Sequence, residues 1–533
     1  MSTLSYNNLD ATEAYNALKQ YQEPVDLSAL LDAERIRHYS IPTGGGLQFN
    51  FAAKPVHEDI ISLLQELADE QQLIPKYQAI LRGEIMNPGE NRMVLHHLTR
   101  GQLGEDVFHN HKNLRRFYVE QQNRIYEFAR KVHTGQIKGS TGKTFDTVVQ
   151  VGIGGSDLGP RALYLALKNL ALSKDTLKMT GYFISNVDPD DANAILANLD
   201  YESTLFIIVS KSGTTQETLT NRALIVEKMK QSGIDGLDPR KHMIAVTSET
   251  SPMASSDEYL ESFFIDDFIG GRYSSTSAVG GTILSLTFGG EVFSEILAGA
   301  HETDNLSLNT SVRENASLMD GLIGIYERNI LGLPCTAVLP YSQALERFPA
   351  HLQQLDMESN GKRVNRRGEA IHYKTGPILF GEPGTNGQHS FYQLLHQGTD
   401  YIPLQFIGFS RAQTAFDVTW EGSTSQTKLV ANLAAQIVAF ALGKDDKNAN
   451  KYFPGNRPSS VIHGENLTPK ALGALLAHFE NKVMFQGLAW NINSYDQEGV
   501  QLGKVLTKQI LSGKSQDEII NTYARILGIA PTT

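Results

Sequence analysis

The chain has almost no cysteine, no long apolar run and no surplus of positive charge. Cys335 is the single cysteine among 533 residues, which excludes an intrachain disulfide and a cysteine-built metal site. Following Leu333 and Pro334, it reads as a buried small hydrophobe. No stretch approaches the roughly 18 uninterrupted apolar residues of a membrane-spanning helix. The opening MSTLSYNNLDATEAYNALKQY has neither a basic start nor an apolar core, so it does not read as a secretory signal. Lys plus Arg number 47 against 58 Asp plus Glu, a formal charge of −11. That balance argues against a nucleic-acid surface and leaves room only for a local basic pocket suited to a small anion. A reducing, cytoplasmic compartment is expected, with neither nucleic acid nor membrane as partner. The length calls for two large domains or lobes, each with its own core.

What is present is a set of polar loops, each entered from an apolar run. In 204–218, TLFIIVSKSGTTQET, the residues Leu205 to Val209 suit a central strand covered on both faces. Ser210, Lys211, Ser212, Gly213, Thr214 and Thr215 then gather four hydroxyls, an ammonium and a glycine before a helix. Two readings stand for this loop: an anion cradle, or a β–α turn whose Ser and Thr cap the helix. A second run, TVVQVGIGGSDLGP at 147–160, feeds Gly152, Gly154 and Gly155 and then Ser156 ahead of another helix. Its glycine spacing departs from a dinucleotide fingerprint, and Asp188 falls in the loop beyond the next strand rather than at its end. KGSTGK at 138–143 lacks the strand that should precede a nucleotide-binding loop and reads as a turn.

From 145 to 247, strand and helix alternate: 145–151, 161–168, 179–185, 189–197, 205–209, 217–231 and 242–247. A doubly wound parallel sheet is the economical solution, and ligands bind beyond the carboxyl ends of such strands. Residues from about 11 to 130 read as mostly helical. The adjacent His96 and His97 cannot share one helix face, so they read as scaffold or surface rather than a metal pair. In FIGGRYSSTSAVGG at 268–281, a glycine bend presents Arg272 among hydroxyls, suited to phosphate or to developing negative charge.

A second lobe is expected to open with a strand at 336–340 and to continue with one at 406–409. The helix over 345–362 ends near Glu358, a candidate base. His389 is expected at a helix start, suited to proton transfer near neutral pH, with His396 two turns on. The helix at 431–442 reads as buried, and 468–490 as a helix pair or bent helix. Gln497 and Lys504 follow, and 517–527 reads as a helical tail before a loose PTT.

Six stretches taken in order resemble the phosphoglucose isomerase family over nearly the whole chain. They are VGIGGSDLGP at 151–160, SKSGTTQET at 210–218, GGRYS at 270–274, QQLDMESNGK at 353–362, GEPGTNGQHSFYQLLHQG at 381–398 and YDQEGVQLGK at 495–504. The resemblance implies an α/β protein with two α/β/α sandwich domains of sugar isomerase (SIS) type, each built on a parallel sheet. A helical N-terminal region would span 1–120, the sugar-phosphate-binding domain 121–290, the domain with the catalytic Glu and His 291–510, and a C-terminal helical arm 511–533.

It further implies interconversion of glucose 6-phosphate and fructose 6-phosphate, through ring opening and a cis-enediol(ate), in glycolysis and gluconeogenesis. In that scheme Glu358 moves the proton between C2 and C1, and Arg272 supports the enediolate. His389 opens the ring from across a homodimer interface, and Lys504 assists. Gly155, Ser156, Ser210, Lys211, Ser212 and Thr215 hold the phosphate, while Gln354 and Gln497 line the site. Neither metal nor cofactor is expected, since moving a carbonyl needs only a base and support for the oxygen charge. Two departures from the family pattern stand out: SKSGTT where many members carry SKTFTT, and GVQLGK, in which Gln501 replaces a glutamate near Lys504. The alternatives are an aldose–ketose isomerase of other or dual hexose-phosphate specificity, and a non-catalytic sugar-phosphate regulator. The presence of Glu358, His389, Arg272 and Lys504 speaks against the latter.

Overall fold

A computed structural model describes residues 4–21, 25–101, 103–513 and 515–529. The chain divides into a large unit, Met1–Ser494, and a small one, Tyr495–Thr533. Among the described residues no helix is long and apolar enough to cross a membrane.

The large unit holds two principal sheets. In the first, five strands run in the order Thr180–Ile184, Thr147–Val151, Thr204–Val209, Met243–Thr247 and Ser262–Phe264, every neighbouring pair parallel. All six residues of Thr204–Val209 are buried, as expected of a central strand covered on both faces. Phe206 and Ile208 meet Ile225 and Met229 of helix Gln216–Gln231 on one side. Helix Ala278–Phe288, buried along its whole length, covers the other. The chain leaves Thr147–Val151 toward one edge and returns to place Thr204–Val209 on its far side. The order therefore reverses between these two strands, and a doubly wound sheet opens a crevice at such a point.

The second sheet repeats that order with four parallel strands: Ile378–Phe380, Cys335–Tyr341, Leu404–Phe409 and Ser459–Gly464. The N-terminal region is mostly helical, with helices at Glu13–Gln20, Glu58–Glu70, Leu73–Leu81 and Leu114–His133. It also contributes a hairpin, Ser40–Gly44 and Leu47–Asn50, that adds antiparallel to Ser459–Gly464. The helical reading did not foresee this addition. Leu47 and Phe49 alternate inward with Gln48 and Asn50, a period of two too short to register within the mostly helical stretch read over 11–130.

The helix expected as a pair or bend over 468–490 is one unbroken element, Pro469–Ala489, nearly all of it buried. It crosses helix Gly290–Leu306 where two glycines meet the opposing backbone: a Cβ on Gly473 would lie 1.8 Å from the Ile296 carbonyl oxygen, and one on Gly299 1.8 Å from that of Lys470. Its buried charges are paired. Glu480 meets Arg100, which also binds Asp304, while His478 and Lys482 share Asp320.

Two burial expectations are corrected. Cys335 is half-buried rather than buried, because it opens a strand at the rim of the second core. Helix Ser425–Leu442 buries only Leu433, Phe440 and Ala441, with Leu429 and Ile437 half-buried against that core, so its apolar sequence covers one flank and leaves the opposite face open.

The small unit consists of a turn, Glu498–Val500, and helices Gln501–Leu511 and Glu518–Ile526. The second starts at the Asp517 carboxylate, which accepts from the amides of Ile519 and Ile520. The terminal PTT lies outside the described residues.

Candidate active site

Four segments of the large unit converge at the crevice of the first sheet. The glycine turn Gly154–Ser156 follows strand Thr147–Val151. A short helical turn, Gly271–Thr276, packs directly against it: a Cβ on Gly155 would lie 2.1 Å from the Gly271 carbonyl carbon and 2.7 Å from the Arg272 nitrogen. No side chain fits between them, so a residue without one brings Arg272 to the strand's carboxyl end. The Ser274 hydroxyl donates to the Gly155 carbonyl at 3.4 Å.

The third segment is the hydroxyl loop. Ser210 is buried, and its Oγ lies 2.9 Å from Thr215 Oγ1 while accepting the Thr215 amide at 3.3 Å. Ser212, exposed, pairs with Thr214 Oγ1 at 2.9 Å and accepts the Thr214 amide at 3.2 Å. Gly213 has a φ of +67°, the left-handed conformation that turns the loop back on itself. Thr215 precedes helix Gln216–Gln231 without capping it through its side chain. The capped-turn reading therefore loses its central feature, and the positive end of the helix dipole faces the loop. Lys211 Nζ donates to the Ile269 carbonyl at 3.2 Å, which ties this loop to the one carrying Arg272. Burial lowers the pKa of its ammonium, an effect opposed by the Asp267 carboxylate 3.9 Å away.

The fourth segment is a helix whose last stretch widens. Phe348–Gln353 is α-helical, and Gln354–Glu358 continues it as a π-helical turn, a geometry frequent at functional sites. Leu352 and Leu355 anchor it in the core, while the Glu358 side chain keeps about 20% of its exposure. Glu358 Oε2 lies 3.3 Å from Arg272 Nη1 and accepts from Gln354 Nε2 at 3.0 Å. Gln354 in turn reaches the glycine turn, since a Cβ on Gly154 would be 3.3 Å from its Nε2. Arg272 is only 2% exposed, so it is no surface arginine. A carboxylate open to one side and backed by a buried guanidinium can accept a proton from carbon while the cation supports the oxyanion that results.

A family model for phosphoglucose isomerase matches residues 50–526. The chain belongs to the phosphoglucose isomerase family. It is 60% identical over 517 residues to a glucose-6-phosphate isomerase of Treponema denticola, covering 96% of this chain and 97% of that one. It is 50% identical over 526 residues to one of Borreliella burgdorferi, covering 98% and 99%. A solved glucose-6-phosphate isomerase from Chlamydia trachomatis superposes with a TM-score of 0.90 at 41% identity, covering 98% of this chain and all of that one.

Of the residues expected at the site from the sequence, the fold brings Arg272, Glu358 and Gln354 together, with Gly155 and the Ser210–Lys211–Ser212–Thr215 loop beside them. Ser156 is half-buried, and its carbonyl accepts from Gln150 Nε2 at 2.7 Å. His389 is not at a helix start. The residues after Pro383 coil at once into a short helix, Gly384–Gln388, and His389 terminates it with its side chain exposed. Among the described residues no hydrogen bond or ion pair joins that side chain to Glu358. His396 sits on a separate helix, Tyr392–Gln397, stacked 3.8 Å from Phe440 and bonded to Gln436, and is structural. Gln497 and Lys504 belong to the small unit, Lys504 exposed on helix Gln501–Leu511.

His96 and His97 are both buried, and His96 stacks on Tyr273 at 4.7 Å. Burial pushes both imidazoles well down, His97 to about 3. Sequence reasoning passed over Ser359, which binds Arg272, and Asn360, which bonds Ser494, as well as Tyr273 and Ser494 themselves beside the guanidinium. The first two were adjacent to Glu358, and that adjacency was the available signal.

Proposed function

We propose that the protein interconverts D-glucose 6-phosphate and D-fructose 6-phosphate. The reading is carried by the Arg272–Glu358 pair at 3.3 Å beside a hydroxyl loop at the crevice of the first sheet. Family membership supports it. The phosphate rests on Ser210, Lys211, Ser212 and Thr215, with the Gly155–Ser156 turn alongside, where loop N–H groups and the helix dipole favour an anion. Once the ring is open, Glu358 takes the proton from C2. The electron pair forms the C1–C2 double bond and leaves negative charge on O1, which Arg272 stabilises. The same carboxyl returns the proton to C1 as the O2 proton moves to O1, giving the ketose. Gln354 holds the carboxylate, and Gln497 lines the site. His389 and Lys504 open the ring by passing a proton to its oxygen, with His389 supplied by a second copy of the chain in a homodimer. The reaction belongs to glycolysis and gluconeogenesis in the cytoplasm and needs neither metal nor cofactor.

The test supplies fructose 6-phosphate in the presence of a chelator and follows glucose 6-phosphate. Wild-type protein is expected to turn over. Glu358→Gln is expected to lose roughly three to five orders of magnitude in kcat with KM nearly unchanged, because the carboxylate acts in the transition state. Activity of the variant within tenfold of wild type removes Glu358 from the role of base. Mannose 6-phosphate as the principal product would assign a different hexose specificity to the same site.

A further inference from the structure

Arg272 is buried, and a guanidinium presents five N–H donors in one plane, so its direction is set by the acceptors around it. Nη1 faces Glu358 Oε2 at 3.3 Å, Nε donates to Ser359 Oγ at 2.6 Å, and Nη2 donates to the Ser494 carbonyl at 2.5 Å. The first two acceptors are consecutive residues of one helical turn. The third comes from a segment 135 residues further along the chain, and a backbone carbonyl there is only as well placed as whatever holds that segment.

Asn493 Nδ2 ties that segment to Asn87 Oδ1 at 2.9 Å, and a bond that reaches Ser494 itself comes from Asn360. Its Oδ1 accepts from Ser494 Oγ at 2.8 Å, and its Nδ2 donates to the Val483 carbonyl at 3.1 Å and to Asp356 Oδ1 at 3.3 Å. Asn360 and Ser494 are both buried, so these bonds face little competition from water. Gly487 makes the approach feasible: a Cβ there would lie 1.8 Å from Ser494 Oγ and 3.0 Å from Asn360 Oδ1. These three acceptors of the guanidinium therefore hang on the turn that carries Glu358, two directly and one through Asn360. The separation between base and cation is fixed by a closed loop of bonds rather than by two independent elements.

We infer that Asn360 and Ser494 are positioning residues for Arg272. Their bond fixes the carbonyl that receives Nη2, and so aims the guanidinium at Glu358 and at the oxygen where charge develops. The inference rests on the isomerase reading above. Misplacing an electrostatic group by about 1 Å costs up to roughly a hundredfold in rate while leaving ground-state binding largely intact. Ser494→Ala removes one hydroxyl and keeps the carbonyl. It is expected to lower kcat about tenfold, with KM for fructose 6-phosphate within about twofold of wild type.

The deciding measurement is a double-mutant cycle on kcat with Arg272→Lys. If Ser494 acts through the guanidinium, Ser494→Ala costs less than about twofold once Arg272 is lysine. Equal factors in both backgrounds, or no loss in the wild-type background, would overturn the inference and leave the isomerase reading standing. A wild-type protein that does not isomerise fructose 6-phosphate overturns both. Should Ser494→Ala fail to fold, Asn360→Ser enters the same cycle with the same expectations.

Discussion

Charge burial in this chain follows two patterns at the level of single residues. Lys54 and Glu327 are buried together at 2.8 Å, and Lys482 meets Asp320 at 3.1 Å. Each ion in these pairs offsets the desolvation of the other. Lys76 is different. It is fully buried in helix Leu73–Leu81, donates to the neutral Gln71 Oε1 at 3.4 Å, lies 4.9 Å from the Tyr6 ring, and among the described residues forms no ion pair. Burial, with a smaller contribution from the Arg366 charge, lowers its pKa from 10.5 to about 7. Between those two values the unfolded chain binds a proton at this position that the folded chain does not. Stability therefore rises with pH across that window, and the full penalty for a buried ammonium applies below it. Lys76→Met is expected to stabilise the protein by about 1–4 kcal/mol at pH 6, an advantage that shrinks toward pH 10. Urea unfolding of both proteins at the two pH values measures it, and a variant less stable than wild type at pH 6 would assign Lys76 a partner worth more than its desolvation.

Among elements, the turn Gly154–Ser156 has no room for a side chain at Gly155. Gly155→Ala places a methyl carbon 2.1 Å from backbone that cannot move without displacing Arg272. A loss of about a hundredfold in kcat/KM is expected, since a 1 Å shift of a catalytic group can cost that much. Steady-state kinetics on fructose 6-phosphate checks it; retained activity would mean that the Gly271–Arg272 turn slides freely. This turn and the loop at 210–215 were legible in the sequence because their chemistry is local: glycines and hydroxyls directly follow apolar strands. The strand and helix alternation over 145–247 was legible for the same reason. The surroundings of Arg272 were not. Ser494 and Asn360 meet only through the packing of helix Pro469–Ala489, and nothing in a polar residue's own neighbourhood announces a partner more than a hundred positions away. Helix Ser425–Leu442 misled in the opposite direction, because apolar content does not specify how many flanks a core covers. The position of His389 was missed because a helix of only five residues intervenes after Pro383, too short to leave a periodic pattern.

For the molecule as a whole, four parallel strands of each sheet share one order, yet the loops that follow the third strand of each differ in composition. The segment after Leu404–Phe409 corresponds in position to the one after Thr204–Val209. It reads Ser410, Arg411, Ala412, Gln413, Thr414. There Arg411 is paired with Glu465 at 2.7 Å, and Gln413 Nε2 is committed to the carbonyls of Ala166 and Leu467 at 2.7 and 3.1 Å. On the proposed reading one repeat holds the anion, while the other supplies the helix with Glu358 and, at an exposed position, His389. If that histidine serves a second copy of the chain, base and histidine of one site belong to different chains, and two inactive variants can complement each other. Glu358→Gln and His389→Ala, each nearly inactive alone, are expected to recover activity when unfolded together and refolded as a mixture. Random pairing makes half the dimers mixed, and each mixed dimer has one site with both groups intact, so recovery should approach about a quarter of wild type. Coupled assay of the refolded mixture against each variant refolded alone measures it. A mixture no more active than its components would place His389 and Glu358 in the same chain's site.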